Sequence, residues 1–200
     1  MRLTLAPAVM AMAVIVVASN ILVQFQLGNW LTWGALTYPF AFLVTDITNR
    51  IHGRRAAQRV VVVGFVTGLF CSLIAAGAGT TTIRIATASA AAFFLGQMLD
   101  VILFDRMRYR PDWWKAPLIS SVMGSVLDTI IFFTIAFAAF LPHDANTGWS
   151  NEIVPLLGQG PELPLWMSLG IADWGVKMGL ALLTLVPFRI LVRKILSTPA

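Results

Sequence analysis

Apolar residues in this chain do not alternate with polar ones at the period of a half-buried strand. They run on in six long blocks, at residues 3–25, 33–51, 60–79, 85–104, 118–141 and 165–190. A helix of about 20 mostly apolar residues, rising 1.5 Å per residue, covers the roughly 30 Å hydrocarbon core of a bilayer. The pattern therefore predicts an all-α integral membrane protein with six transmembrane helices, forming one transporter-sized domain over residues 1–200. The first block follows Arg2, but it is too long for the apolar core of a signal peptide and is expected to stay. The longest connection, 142–164, is broken by Pro142, Pro155, Pro161 and Pro164. It predicts an irregular cap with one short interfacial helix around 152–157.

Composition agrees with this reading. Of 200 residues 58% are hydrophobic and 12% charged, and the mean hydropathy is +0.81. The basic residues give the orientation, because short cytoplasmic loops retain Lys and Arg. With six spans, one side holds Arg2, then Arg50, Arg54, Arg55 and Arg59, then Arg106, Arg108, Arg110 and Lys115, then Arg189, Arg193 and Lys194. Arg84 falls on the opposite face and Lys177 within a span. Both termini are thus expected in the cytoplasm and the 142–164 connection outside. The net charge of +5 reports this topology and gives no ground for a nucleic-acid partner. The basic loops suit the lipid bilayer's anionic head groups. Trp30 and Trp33 at one face and Trp113 and Trp114 at the other fit interfacial belts.

Several chemistries are missing. There is no G-x-x-x-x-G-K-[ST] loop for nucleotide hydrolysis. His52 and His143 are the two histidines and fall on opposite faces, so neither a histidine metal cluster nor a serine–histidine hydrolase is expected. Cys71 stands alone in mid-span, which leaves no cysteine metal site or disulfide within one chain. No enzymatic activity, catalytic residue, cofactor or metal is expected.

Polar groups inside the apolar blocks carry the remaining information. They are Asn20 and Gln24, Asp46, Gln97 and Asp100, Asp128, and Asp173 with Lys177. A charge at the bilayer centre costs about 2.5–3.5 kcal/mol on the most lenient scale, so each must be paired or face a wet cavity. Asp46 and Arg50 are spaced i, i+4, as are Asp173 and Lys177, so each pair can neutralise itself on its own helix. Depth separates them: Asp128 and Lys177 lie about 15–18 Å in from the span ends, whereas Asp46 and Asp100 are nearer the inner ends. The fourth and fifth blocks repeat G-x-x-L-D-x-I-[LI]-F, at Gly96 and Gly124, each glycine four residues before an aspartate. Small-residue ridges accompany them: Ala88, Ala92, Gly96 and Asp100; Ser120, Gly124 and Asp128; Gly64, Gly68, Ser72 and Ala76; Gly175 and Gly179. Such ridges let helices pack closely, within a chain or in a homo-oligomer.

The stretch WGALTYPFAFLVTDITNRIHG at residues 33–53, then RIA at Arg84, GQMLD at Gly96, WWKAP at Trp113, GSVLDT at Gly124, and Lys177 and Pro187, together resemble the bacterial queuosine precursor transporter family, also known as vitamin uptake transporters. The resemblance runs from about Trp33 to Pro187. It implies a six-helix, multi-pass protein of the bacterial inner membrane that imports 7-cyano-7-deazaguanine, a purine analogue, or its 7-aminomethyl relative, for tRNA modification. Composition and spacing alone indicate a small-molecule carrier.

The carboxylates make sense for such a ligand. A guanine-like edge presents an N–H beside an exocyclic NH₂, two donors that one carboxylate accepts together, and its faces stack on aromatic rings. Asp128 and Asp173 can supply the acceptor, Gln97 or Asn20 the remaining polar edge, and Trp174 or Phe132 a stacking face. Asp46 would line the inner mouth with Arg50 as partner, aided by a kink at Pro39. Two other readings compete: a binding subunit that borrows an ATP-driven module, and an assembly protein whose buried charges are interhelical pairs.

Overall fold

The computed structural model describes residues 4–23, 25–141 and 145–197. Gln24, Arg2 and the start of the first block, and Pro142, His143 and Asp144 of the long connection, lie outside the described residues. The helices are α1 (Ala6–Leu22), α2 (Gly34–Thr37), α3 (Pro39–His52), α4 (Arg54–Gly77), α5 (Ile83–Met107), α6 (Lys115–Phe137) and α7 (Leu165–Ser197). By length and composition α4, α5, α6 and α7 can each cross a membrane. The α1 helix, at 17 residues, is shorter. Large apolar side chains face outward all round, among them Met10, Val14, Val66, Phe70, Ile130, Leu183 and Val186. An apolar exterior enclosing buried Asp46, Asp100, Asp128 and Lys177 is the arrangement a lipid solvent selects. The protein is an all-α, multi-pass membrane protein.

The second block is not one continuous helix. Its dihedrals stay helical through Tyr38 (φ −57°, ψ −40°), but Pro39 has no N–H, and Ala41 N donates back to Tyr38 O at 3.0 Å. This breaks the ladder between α2 and α3, as the proline predicts. Gly53 then turns the chain directly from α3 into α4 with φ +83°, a conformation that favours glycine. On the opposite side, Thr82 caps α5 by accepting from Ile85 N at 3.2 Å. Arg84 reaches across to donate to Ile135 O at 2.7 Å and Ala138 O at 2.8 Å, satisfying carbonyls at the C-terminal end of α6.

The long connection departs from the expectation of a short helix at 152–157. Strand β3 (Ile153–Pro155) pairs antiparallel with β4 (Glu162–Pro164), and the segment's 3-10 turns fall on either side of β3, at Ala145–Asn151 and Leu156–Gly158. Pro155 and the left-handed Leu157 and Gly158 turn the chain back on itself, which a helix through that stretch would forbid. A smaller hairpin, β1 (Gln26–Leu27) with β2 (Leu31–Thr32), follows α1.

The Gly64 ridge packs within the chain. A Cβ at Gly64 would lie 2.8 Å from Met12 Cγ and at Gly68 3.1 Å from Val16 Cγ1, and Ser72 donates to Asn20 Oδ1 at 2.8 Å. These contacts run at i, i+4 along both α4 and α1, which is why the spacing was readable as a ridge. Around Gly175 and Gly179 nothing lies within 4 Å of a built Cβ.

Candidate functional site

Two clusters of buried carboxylates form where α3, α5, α6 and α7 meet. The first is built on α6 and α7. Lys177 Nζ stands 2.6 Å from Asp128 Oδ2 and 2.6 Å from Asp173 Oδ2, and donates to Thr129 Oγ1 at 3.1 Å. These are the three donors an ammonium has. Tyr38, at the α2–α3 break, donates to Asp128 Oδ1 at 3.0 Å, while Thr129 donates to Asp173 Oδ2 at 3.2 Å. The ammonium also lies 5.4 Å from the Tyr38 ring centroid, within cation–π range. With all three groups ionised the triad carries one excess negative charge. The i, i+4 pair expected from sequence is present, and a second carboxylate 49 residues away in the chain completes it.

The second cluster joins α3, α5 and α6. Asp46 and Asp100 are 2% and 0% exposed. Ser121 Oγ lies 3.3 Å from Asp46 Oδ2 and 3.5 Å from Asp100 Oδ1, Ser120 Oγ lies 3.4 Å from Asp46 Oδ1, and Thr45 Oγ1 lies 3.3 Å from Asp100 Oδ2. Among the described residues no Lys or Arg comes within ion-pairing distance of either carboxylate. The expected Asp46–Arg50 pair does not form: the Arg50 guanidinium donates to Arg108 O. Arg108 is the C-cap residue of α5, and its carbonyl lies within reach of this long flexible side chain. Gln97, 0% exposed, accepts from Thr45 at 3.0 Å through Oε1, while its Nε2 has no hydrogen-bond partner among the described residues.

The repeated glycine–aspartate motif joins the two clusters. A Cβ at Gly96 would lie 2.8 Å from Asp128 Cβ and 2.9 Å from Gly124 O; one at Gly124 would lie 2.9 Å from Gly96 O and 3.1 Å from Asp100 Cβ. Each motif's glycine thus seats the other motif's aspartate at the crossing of antiparallel α5 and α6. Beside this crossing is a void of about 10 Å³, lined by Pro39, Phe42, Ser121, Ser125, Lys177, Ala181 and Thr184. It has room for about one water, so a purine-sized molecule enters only if α3, α6 and α7 part. A larger open cavity of about 600 Å³ lies at the Arg50 end, lined by Arg50, Arg108, Trp113, Arg189 and Arg193 among others.

Of the residues expected at a site, Asp128, Asp173 and Lys177 come together in one cluster and Asp46, Asp100 and Gln97 in the other. Asn20 is engaged elsewhere, donating to Val16 O at 3.0 Å and accepting from Ser72 of α4. Trp174 is 38% exposed on α7, whereas the Tyr38 ring lies 5.4 Å from the Lys177 ammonium and Phe42 lines the void beside it. Tyr38, Thr45, Thr129 and Ser121 were not singled out from sequence. Hydroxyls on apolar helices read as small or neutral, and the one available signal for Tyr38 is its place before Pro39. Among the described residues no group of three or more His, Cys, Asp or Glu could hold a metal ion.

Residues 32–192 match the family described as "Putative vitamin uptake transporter". The chain belongs to this family. That family is one of membrane transporters, not of enzymes. A protein of Haemophilus influenzae (strain ATCC 51907 / DSM 11121 / KW20 / Rd) named "Probable queuosine precursor transporter" is 34% identical over 171 residues, covering 78% of this chain and 66% of that protein. One of Escherichia coli (strain K12) named "Queuosine precursor transporter" is 40% identical over 141 residues, covering 62% and 64%. One of Bacillus subtilis (strain 168), also named "Probable queuosine precursor transporter", is 24% identical over 187 residues, covering 82% and 72%. The chain spans about two thirds of the length of the first two relatives. No solved structure matches. For a vitamin uptake transporter the matched region is informative, because it contains Tyr38, Asp46, Gln97, Asp100, Asp128, Asp173 and Lys177.

Proposed function

We propose that this chain imports the queuosine precursor 7-cyano-7-deazaguanine, or its 7-aminomethyl relative, across the bacterial inner membrane by secondary or facilitated transport. The observation that carries the reading is the Asp128–Lys177–Asp173 triad between α6 and α7, a buried ion pair joined by a half-buried second carboxylate, with one excess negative charge. Charges within membrane spans are costly even when paired, and they mark substrate or ion pathways. The relatives' names supply the substrate class. Binding requires α3, α6 and α7 to separate around the small central void, and release returns them to the closed arrangement, as alternating access demands. Uptake of labelled 7-cyano-7-deazaguanine into liposomes containing this chain alone tests the proposal. Saturable uptake is expected. Binding without uptake would instead indicate a subunit that needs an ATP-driven partner, and neither would indicate an assembly role.

The reading includes six crossings, with α2 and α3 together as the second, both ends of the six-helix unit in the cytoplasm and the β3–β4 hairpin outside. The charge asymmetry supports it. In a Cys71→Ala background an impermeant maleimide added to intact cells should modify Gln159→Cys and spare Arg55→Cys, both exposed positions. The reverse pattern would invert the topology.

A further inference from the structure

We propose that the guanine-type edge of the base is read at the inner cluster, by Gln97 and the Asp46–Asp100 pair, and that its 7-substituent points to the Asp128–Lys177–Asp173 triad. This assignment rests on the transport reading above and gives each cluster a separate task.

Unused hydrogen-bonding capacity distinguishes the clusters. In the triad, Lys177 contacts at 2.6 Å occupy one oxygen of each aspartate, and Tyr38 holds the other oxygen of Asp128. A donor pair arriving on Asp128 would have to displace these bonds. Asp46 and Asp100 hydrogen-bond each other and are otherwise met by hydroxyls at 3.3–3.5 Å, well beyond the 2.7–2.8 Å usual for O–H···O. Beyond their mutual contact they are weakly satisfied acceptors. Gln97 adds the complementary need: fully buried, it has an Nε2 donor without a partner among the described residues, a defect that costs about 1–3 kcal/mol when left unmet. Its amide shares the Thr45 hydroxyl with Asp100, so donor and acceptor stand side by side.

That combination matches a guanine-type edge. The lactam oxygen accepts from Gln97 Nε2, and the ring N–H and exocyclic NH₂ donate together to a carboxylate. Adenine-type edges, with an amino group in place of the lactam oxygen, present Gln97 with a second donor. At the other end, a nitrile can accept from the Lys177 ammonium by taking the place of Thr129, its longest contact at 3.1 Å, whereas an aminomethyl cation is suited to the two aspartates. Ser121 and Asp128, seven residues apart on α6, put the two ends about 10 Å from each other along the axis, the order of length of a substituted bicyclic base. The central void lies between them, with Ser121 and Lys177 both on its wall and Phe42 as an aromatic face.

The test is equilibrium binding to the purified chain in lipid nanodiscs. Wild type should bind 7-cyano-7-deazaguanine at least about tenfold more tightly than the same base lacking its 2-amino group, the loss expected when a charged acceptor loses a donor. Gln97→Leu should weaken the cyano and aminomethyl bases by a similar factor without lowering the melting temperature, because it removes an unmet buried donor and Thr45 retains Phe42 O at 2.9 Å. Asp173→Asn should weaken the aminomethyl base more than the cyano base. Equal affinity for the 2-desamino base, unaltered binding by Gln97→Leu, or equal loss in Asp173→Asn would each overturn the assignment. Should Gln97→Leu fail to fold, the 2-desamino comparison on wild type decides the inner end alone. Wild type that binds neither natural base would defeat the transport reading itself; wild type that binds both but ignores the 2-amino group defeats only this assignment.

Discussion

Lys177→Met is expected to destabilise the protein by about 3–5 kcal/mol, the cost of stranding charge in a buried ion cluster. The substitution removes the one cation that contacts both Asp128 and Asp173, and leaves two carboxylates facing each other at side-chain exposures of 5% and 17%. Had Asp173 and Lys177 been an isolated pair, as their spacing alone implied, Asp173→Asn with Lys177→Met would have restored stability. The third member changes this outcome. In that double variant Asp128 remains charged with only the Tyr38 hydroxyl beside it, so recovery is expected to be incomplete. Adding Asp128→Asn should recover most of the loss, because the members of a coupled cluster are strongly non-additive. Thermal melts in detergent of the single, double and triple variants would show this. A double variant as stable as the triple would mean that Lys177 does not hold Asp128. The triple variant, though folded, should not take up the base.

The second large effect is expected at the α5–α6 crossing. Gly124→Ala would put a methyl 2.9 Å from Gly96 O and 2.9 Å from Phe42 Cε1; Gly96→Ala would put one 2.9 Å from Gly124 O and 2.8 Å from Asp128 Cβ. In a helix interior alanine is favoured over glycine by up to about 1 kcal/mol, but overpacking costs about 1–3 kcal/mol. Backbone carbonyls in two continuous helices cannot swing aside, so the steric term wins and both variants should melt at lower temperature. Gly175→Ala and Gly179→Ala meet no atom within 4 Å and serve as controls, expected to be neutral or slightly stabilising. If Gly124→Ala matched Gly175→Ala in melting temperature, the close crossing would be wrong.

Local spacing made much of this legible and distant pairing did not. The proline break before α3, the Asp173–Lys177 pair and the Gly64 ridge each depend on residues one to four positions apart, and those distances are fixed by helix geometry. Asp46 and Arg50 had the same spacing and still did not pair, because i, i+4 permits contact without requiring it and Arg50 has a competing carbonyl in α5. The joining of Asp46 with Asp100, or of Asp128 with Lys177, depends on which helix faces cross, and near-uniform hydrophobicity around α5, α6 and α7 removes the amphipathic signal that would reveal those faces. Trp174 illustrates the same blindness: an aromatic beside Asp173 in sequence is turned about 100° from it around the helix and is 38% exposed. The repeated G-x-x-L-D motif suggested close packing, yet that each glycine seats the other motif's aspartate could be seen only once α5 and α6 were set antiparallel.

The two ends of α3 are held very differently. At its C-terminal end Asn49 Nδ2 donates to Val101 O at 2.9 Å, Arg108 donates to Asn49 O at 2.7 Å, and Arg50 donates to Arg108 O, so three bonds rivet it to α5. At its other end the proline interruption leaves the backbone one bond short, with Tyr38 attached to Asp128 by a single hydroxyl. A rod riveted at one end and lightly latched at the other behaves as a lever: a small displacement at the latch needs little force, while the fulcrum stays where Gly53 turns the chain into α4. Moving α3 at its Tyr38 end therefore breaks fewer bonds than moving it at its Asn49 end.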